Sequence, residues 1–437
     1  MENEYIDVPI SLISIKHPQK DKKLTEFDKH SQYLIKMLAS GALEDKLIEY
    51  AENFYKAAHR ITHFILNEER PDIGKLDTFF FPITFLYRHC IELGLKGVGF
   101  RYLDNKADRI QFIKETRHDL SELLKRLETI CERLPGQNEL EWLRKLFADI
   151  SVVDKESDSF RYPFHIKWES DVFGVGSFTI KRVFDGQISI DLVKLANKFE
   201  AAYEIIQNWY FKSEEESVEW KKLRPVFIET GGYYYAQSVI GYRYIRDDFY
   251  PYTRSYLECA NFLKWFCKKK ADEEGTLQYC NTFFLPMCYL YRNCVELSLK
   301  AIWFEETSED FQTKCKLMLD YKHSIHGLWK SVKSYALEAS TTEDEKKYLN
   351  VIEDYCDQIH TIDGDANKFR YPMTNNMQPY FSSNKRFDFV HVGDFFEELN
   401  NILDGIDCQL STINEYKAEM EAEYRSEMMA DMEWDYS

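Results

Sequence analysis

Apolar residues recur at intervals of three and four along most of the chain, which is the spacing of one face of an α-helix. The pattern occupies LIEYAENFYKAAHRITHFIL at 47–66, LSELLKRLETICERL at 120–134 and DLVKLANKFEAAYEIIQNWYF at 191–211. We therefore predict a mainly α fold, with four to five helices in each stretch of roughly 200 residues.

One apolar run contains charges that a helix meant only for burial would lack. In FFFPITFLYRHCIELGLKG, at 79–97, Arg88, Glu92 and Lys96 follow one another at intervals of four residues. This spacing places the three side chains along one side of a helix. Pro82 lies in the same run, and we expect it near the beginning of the helix, where a missing N–H costs least.

The charged run occurs a second time in the chain. TFFFPITFLYRHCIELGLK at 78–96 matches TFFLPMCYLYRNCVELSLK at 282–300, which aligns the first charged row with a second one. Matches continue downstream, where RHDLSELLK aligns with KHSIHGLWK, and DKESDSFRYP aligns with DGDANKFRYP. A fourth match aligns FDGQISIDLVKLANKFE at 184–200 with FDFVHVGDFFEELNNIL at 387–403. The residues paired by the four alignments are Arg88 with Arg292, Glu92 with Glu296, Lys96 with Lys300, His118 with His323, Arg161 with Arg370, and Asp191 with Asp394.

Two copies of one unit predict two domains of ordinary size. We assign residues 1–212 to copy 1, residues 213–414 to copy 2 and residues 415–437 to an acidic tail. In copy 1, FTIKRVFDGQISI at 178–190 predicts a minor β-hairpin with an Asp-Gly turn. Because a self-complementary interface tends to survive duplication, we expect two helical bundles that form an intramolecular pseudo-dimer through the faces carrying Arg88 and Arg292.

Charge narrows the choice of partners. The net charge of −18 opposes broad attraction to a polyanion, so no broad DNA binding is expected and any RNA contact must be local. The tail EYKAEMEAEYRSEMMADMEWDYS at 415–437 is interpreted either as a solvated helix or frayed end, or as an acidic amphipathic segment that docks on a partner or on a basic cleft of the protein itself. No apolar stretch has the length of a membrane span, so we expect a cytoplasmic protein without membrane contact.

Several chemistries lack their usual motifs. The ten cysteines form no C-x-x-C pair, so neither a zinc site nor a disulfide framework is predicted, and buried packing is the expected role. The chain also lacks G-x-x-x-x-G-K-[ST], G-x-G-x-x-G, H-E-x-x-H and G-x-S-x-G. We predict no cofactor and no metal site.

The order Y-R-[HN]-x-[IV]-E-L-x-L-K, then H-[DS]-[LI]-x-x-L, then F-R-Y-P resembles the helical bundles of the HEPN superfamily, especially variants in bacterial defence proteins and toxins. The resemblance covers roughly 50–210 and 255–410. It implies an all-α bundle that pairs face to face, with an arginine-bearing helix from each bundle lining a shared cleft. Many members of the superfamily are metal-independent ribonucleases, and others are non-catalytic.

The chain departs from the family pattern at one point. Active HEPN ribonucleases carry a histidine that is separated from the arginine by four to six residues. Those positions hold Leu93, Gly94 and Leu95 after Arg88, and Leu297, Ser298 and Leu299 after Arg292. The histidines that both copies share are His118 and His323. A catalytic base would therefore come from these positions.

Histidine and arginine suit metal-independent RNA cleavage, because a base must take the 2′-hydroxyl proton and a cation must stabilise the phosphorane. The candidate catalytic residues are Arg88, His118, Arg292 and His323. The candidate substrate-binding residues are Tyr87, Tyr291, Arg161 and Arg370. The alternative is architectural, with Glu92, Lys96, Glu296 and Lys300 in buried ion networks in which Arg161 and Arg370 are the expected partners of the glutamates.

Three functions remain open at this point. The first is an RNA-targeting defence protein or toxin, of which a metal-independent endoribonuclease that uses the cleft between the bundles is one form. The second is a catalytically silent pseudo-dimer that binds a partner protein, such as an antitoxin or a defence subunit. The third is a sensor of a nucleotide or another small phosphate ligand.

Overall fold

The computed structural model describes residues 16–435, except 40, 68–71, 132–133, 135, 171–175, 214–217 and 242–247. The described chain is mainly helical, as predicted, with twelve α-helices and three two-stranded antiparallel sheets. No helix among the described residues is long and apolar enough to cross a membrane.

The helices fall into two series of six with the same order. The first series is α1 (Leu43–Leu66), α2 (Ile73–Tyr102), α3 (Lys106–Thr116), α4 (Leu120–Ile130), α5 (Gln137–Val153) and α6 (Leu192–Phe211). The second is α7 (Tyr250–Glu274), α8 (Gln278–Ala301), α9 (Phe311–Tyr321), α10 (Ile325–Ala339), α11 (Glu343–Asp363) and α12 (Phe389–Asp435). A π-helical turn at Ile302–Glu306 extends α8.

Local sequence explains where several helices begin. The side chains of Asp72 and Asp119 accept backbone N–H bonds at the starts of α2 and α4, and Thr342 and Glu345 form a capping box at α11. Because Asp72 starts α2 early, Pro82 lies inside the helix rather than near its beginning, which corrects the prediction.

The last helices of the two copies align differently from the sequence prediction. Asp191 caps α6 by accepting from the Lys194 N–H, and Asp388 accepts N–H bonds at the start of α12 in the same way. Asp394, the predicted match of Asp191, instead binds Lys16 and Lys264. The prediction was wrong because copy 2 has a much shorter connection before its last helix.

That connection contains the clearest difference in local structure. In copy 1, β2 (Phe164–Ser170) and β3 (Gly176–Arg182) form a hairpin, and β4 (Ile188–Asp191) follows. The predicted hairpin through an Asp-Gly turn is wrong, because β3 pairs with β2 while β4 pairs with β5 (Gln237–Ile240). In copy 2, a short turn bridged between Met373 and Pro379 stands in place of the hairpin.

The strands that precede each copy pair with the other copy. β1 (Leu34–Met37), just before α1, pairs with β6 (Lys385–Asp388), just before α12. Reciprocally, β5, just before α7, pairs with β4, just before α6. The leading segments are thus exchanged between the copies, which the sequence-based domain limits of 1–212 and 213–414 do not anticipate.

The core is continuous across the two copies. Phe85 on α2 stacks on Tyr289 on α8 at 4.6 Å between ring centroids, and these residues occupy equivalent positions in the repeat. Phe64 also stacks on Phe262 at 4.2 Å, so α1 contacts α7. The cysteines are free thiols, and all but Cys408 are buried, as expected for small apolar residues.

Candidate site between the two copies

The charged row of α2 lies in the core. Arg88 and Glu92 are fully buried, and Lys96 is 4% exposed. Burial of unpaired charges would be very costly, so the network around them decides whether the row is tolerated. Each of the three side chains has an oppositely charged partner in the row itself.

Arg88 is paired with groups of its own copy. Its Nη1 donates to Glu92 Oε2 at 2.7 Å, and its Nε forms an ion pair with Asp154 Oδ2 at 2.9 Å. Its Nη2 donates to the backbone carbonyl of His118. Asp154 is itself fixed, because its Oδ1 accepts the N–H groups of Asp158 and Ser159.

Glu92 connects this arginine to a histidine. Its Oε1 accepts from Lys96 Nζ at 2.6 Å and lies 3.0 Å from Nδ1 of His118. Desolvation alone would raise the pKa of Glu92, but Lys96, His118 and Arg88 hold the pKa well below its usual range. Glu92 is therefore an ionised acceptor that fixes Nδ1–H of His118.

A tyrosine from the other copy completes the group. The Tyr371 hydroxyl donates to Glu92 Oε1 at 2.8 Å and lies 3.1 Å from His118 Nδ1. Lys96 Nζ lies 5.1 Å from the centroid of the Tyr371 ring, within cation–π range. Residues from both copies thus meet at one carboxylate oxygen.

The same arrangement occurs in copy 2 with the roles of the copies reversed. Glu296 Oε1 accepts from Lys300 Nζ at 2.7 Å and from the Tyr162 hydroxyl of copy 1 at 2.7 Å, and it lies 3.0 Å from His323 Nδ1. Arg292 donates to Glu296 and to the carbonyl of His323. We name the two groups the His118 site (Arg88, Glu92, Lys96, His118, Asp154 and Tyr371) and the His323 site (Arg292, Glu296, Lys300, His323, Asp363 and Tyr162).

Each histidine is only partly buried. The side chains of His118 and His323 are 34% and 32% exposed, although the glutamates beneath them are sealed from solvent. Desolvation lowers the pKa of His118, and Lys96 and Arg370 add to this effect against the attraction of Glu92. Attraction to Glu296 raises the pKa of His323, but desolvation, Lys300 and Arg161 outweigh it and the pKa is lowered.

The backbone before each histidine is strained. Arg117 has φ 45° and ψ −107°, and Lys322 has φ 49° and ψ −99°. A side chain with Cβ rarely adopts positive φ, and such strain concentrates at functional sites. The strain is repeated at equivalent positions, so it belongs to the shared design of both sites.

The His118 site opens into a cleft of about 710 Å³ between the copies. One wall carries the cationic residues Lys96, Lys114 and Arg117 beside His118, and the other wall is formed by copy 2. Lys114 and Arg117 are exposed, and their side chains form no hydrogen bond or ion pair with another described residue. The residues of the opposite wall include Asp365, Asn367, Tyr371, Asn375, Asn376 and Tyr380.

The His323 site is next to the hairpin of copy 1. Phe178 on β3 exchanges two hydrogen bonds with the Gln312 side chain on α9, at 2.6 and 3.0 Å. Phe164, at the start of β2, packs on Phe304 at 5.0 Å between centroids. The β2–β3 strand pair of copy 1 therefore occupies, beside the His323 site, the place that the short turn of copy 2 occupies beside the His118 site.

The predicted substrate-binding residues lie in the core. Tyr87 and Tyr291 are fully buried, and their hydroxyls donate to Glu200 and Asn261 respectively. Arg161 and Arg370 are 4% and 3% exposed. None of these four residues is among the residues that line the described cleft.

The expected partners of the buried glutamates were wrong. Arg161 donates to the carbonyl of Ser157 and pairs with Asp158, which secures the turn before the FRYP tyrosine. Arg370 is held in the same way by the carbonyl of Ala366 and by Asn367. The glutamates instead bind the arginine and lysine of their own helix, because a spacing of four already brings those groups into contact.

Sequence reasoning missed four members of the two sites: Asp154, Asp363, Tyr162 and Tyr371. Their signal was present, because the aligned segments DKESDSFRYP and DGDANKFRYP repeat both the aspartate and the tyrosine. The partner of each tyrosine was not readable from the alignment, since it lies in the other copy.

No group of three or more histidine, cysteine or acidic side chains suited to a metal ion occurs in the described part of the chain. Comparison of the sequence and the structure with family models, curated proteins and solved structures gave no match. The site must therefore be interpreted from its geometry.

The geometry of the His118 site suits proton transfer. When Nδ1–H is fixed on an ionised carboxylate, the neutral ring has its lone pair on Nε2. A lowered pKa keeps the ring neutral near pH 7, which a general base requires. The free cations of the cleft provide charge for an anionic group beside the base.

Proposed function

We propose that the chain is a HEPN-like intramolecular pseudo-dimer that acts on RNA, and that the His118 site cleaves RNA without a metal ion. The observation that carries the proposal is His118 itself, held by a buried carboxylate and located in a cationic cleft between the copies. The cleft volume of about 710 Å³ matches pockets that take nucleotide-sized ligands.

In this mechanism, His118 Nε2 takes the proton of the ribose 2′-hydroxyl, and the oxygen attacks the adjacent phosphorus. The bond to the 5′-oxygen breaks, the imidazolium returns its proton to that oxygen, and a cyclic phosphate remains. Lys114 and Arg117 stabilise the negative phosphorane. The side-chain amides of Asn375 and Asn376 are available to form hydrogen bonds with the nucleobase or the ribose.

Arg88 and Arg292 have a different role from the one expected of a family arginine. Their guanidinium groups are buried and paired, so a phosphate could reach them only by displacing a carboxylate. We assign them to positioning, because each arginine binds both the glutamate and the backbone carbonyl of the site histidine.

The reciprocal contacts support the pseudo-dimer. Tyr371 enters the His118 site and Tyr162 enters the His323 site, while the leading strands are exchanged in both directions. Contacts in which i meets j and the equivalent of j meets the equivalent of i are the mark of an isologous, two-fold interface.

The direct test is cleavage of a labelled, mixed-sequence single-stranded RNA by the purified chain, with and without EDTA. We expect cleavage that survives EDTA and falls by about a hundredfold or more in His118→Ala. His30→Ala, at an exposed histidine outside the cleft, is the matched control. Absence of cleavage in the unmodified chain would remove the nuclease function.

A parallel arm separates RNA from free nucleotide as the source of the phosphate. ATP and inorganic phosphate are titrated against the chain, and their ability to block RNA cleavage is measured. A nucleotide that binds tightly to a chain unable to cut RNA would favour the sensor instead.

Partner binding is the second candidate, and one observation favours it. From Glu415 to Met429, α12 is exposed, and an apolar row of Tyr416, Met420, Tyr424 and Met428 runs along it at four-residue spacing. Exposed rows of this kind are used to dock a helix in a groove. Partner binding would be supported if Met420→Glu abolished the effect of the protein in cells but left RNA cleavage in vitro unchanged.

A further inference from the structure

We propose that Tyr371 is a positioning residue for His118, supplied by copy 2, so that the site of copy 1 is complete only when the two copies are paired. The inference rests on the proposed function for its catalytic meaning. Its structural content stands separately, because it concerns how one hydroxyl group controls the proton of one imidazole.

Tyr371 is held in place from several sides. Its ring lies edge-on to His89 at 5.0 Å between centroids, and the guanidinium of Arg370 lies 5.3 Å from it. The hydroxyl therefore reaches Glu92 and His118 from a fixed backbone turn, and its direction is set by the FRYP segment. A surface tyrosine that met the site by chance would lack this support.

Three donors share one oxygen of Glu92. Lys96, Tyr371 and Nδ1 of His118 lie 2.6, 2.8 and 3.0 Å from Oε1. Donors on one acceptor compete, so each one reduces the negative charge that the others experience. The Tyr371 hydroxyl thereby limits the pull of Glu92 on the imidazole proton, and it keeps the ring neutral while its Nδ1–H stays oriented.

Among the described residues, the charged groups around His118 carry no hydroxyl that could replace that of Tyr371. Glu92 and Lys96 face the ring from α2, and Arg370 faces it from copy 2. Arg117 precedes it and lines the same cleft. Asp119, which follows it, accepts the backbone N–H groups of Ser121 and Glu122 as the cap of α4.

The duplicated site supplies an internal control. The Tyr162 hydroxyl lies 2.7 Å from Glu296 Oε1 and 3.1 Å from His323 Nδ1, which reproduces the Tyr371 geometry. Tyr162→Phe and Tyr371→Phe remove the same atom from equivalent places. Any general effect on folding should be similar in the two variants. A positioning effect should change only the pKa of the histidine that the substituted tyrosine contacts.

The experiment is an NMR titration of the histidine rings in the full chain, with the His118 and His323 signals assigned by substitution. In Tyr371→Phe we expect the pKa of His118 to rise, because Glu92 loses a competing donor, while the titration of His323 is unchanged. Tyr162→Phe should give the converse. If RNA is cut, Tyr371→Phe should lower kcat about tenfold near neutral pH and change KM by less than twofold.

A second variant covers the case in which phenylalanine disturbs the fold. Incorporation of 3-fluorotyrosine at 371 keeps the ring and makes the hydroxyl a stronger donor, so the pKa of His118 should fall. A His118 titration that neither variant shifts would overturn the inference. Shifted titrations in a chain that cuts no RNA would uphold the positioning role and remove the proposed function instead.

Discussion

The two histidine sites share a foundation but differ at their surface. Each has an arginine, a glutamate and a lysine at intervals of four, a residue with strained backbone before the histidine, and a tyrosine from the other copy. Above this foundation, the His118 site opens into a cationic cleft, whereas the His323 site lies beside the β2–β3 hairpin. The buried network is thus common architecture, and the loops determine access.

The charges around the sites differ as well. Lys114, on the wall of the His118 cleft, corresponds to Leu319 in copy 2, and Arg117 corresponds to Lys322. At these two positions, copy 1 therefore has one more cation than copy 2. Under the proposed function, copy 1 keeps the ligand site while copy 2 supplies its supporting tyrosine.

The largest expected effect tests the shared foundation. Glu92→Ala should lower the free energy of unfolding by about 3 to 5 kcal/mol, because it removes, among the described residues, the only carboxylate paired with buried Lys96 and one of the two paired with buried Arg88. Glu296→Ala should cost a similar amount, since its partners are equivalent. Denaturant unfolding measures both values.

The control for these variants is an exposed helix pair. Glu421→Ala removes the partner of Arg425, both being more than 70% exposed, and should change stability by only a few tenths of a kcal/mol. If Glu92→Ala lowers the free energy of unfolding no more than this control does, the buried row does not stabilise the fold as described.

A second prediction uses a position at which the copies differ in chemistry. His89 is fully buried, and its desolvation holds the pKa well below the usual value, whereas copy 2 has Asn293 there. His89 therefore binds a proton more readily in the unfolded chain than in the folded chain. The stability that neutral His89 contributes to the fold is fully present above the pKa of the unfolded chain, near 6.5. It is lost as the pH falls towards the pKa of the folded chain, by at most about 1.4 kcal/mol per pH unit.

His89→Asn should remove that part of the acid sensitivity. The measurement is the slope of unfolding free energy against pH between 7 and 5 in both proteins. An unchanged slope would mean that other groups cause the acid response.

The smallest expected effect tests the surface difference. Lys114→Leu gives the His118 cleft the residue of copy 2 and should weaken RNA binding by about threefold to tenfold, with a smaller dependence on salt. Lys347→Leu, an exposed lysine on α11 and outside the cleft, is the control. Equal losses in the two variants would indicate general electrostatics rather than a site in the cleft.

The repeat made the foundation predictable. Its spacing placed Arg88, Glu92 and Lys96 on one face, and the duplicated histidines marked the residues that meet them. Helices depend on neighbours within a few residues, so their pattern is visible in sequence. The buried network was anticipated as an alternative, although with the wrong arginine as partner of the glutamate.

The features that separate the two sites were not predictable in this way. Tyr371 reaches Glu92 across most of the chain, and β4 pairs with β5 instead of the nearer β3. Both contacts depend on how the copies pack, and strand pairing is decided by partners rather than by local preference. The alignment of Asp191 with Asp394 failed for a related reason. It matched the dipeptide Phe184-Asp185 with Phe387-Asp388 and so did not show that the connection in copy 2 is shorter.

The exchange of leading strands has a consequence for the newborn chain. β1 at Leu34–Met37 is made well before its partner strand Lys385–Asp388. At usual rates of synthesis, the intervening roughly 350 residues take on the order of 20 to 70 seconds. A hairpin closes in microseconds, so β1 waits far longer as an open edge than its folding requires. Cellular chaperones that cover nascent strands are therefore expected to engage the β1 segment until β6 emerges.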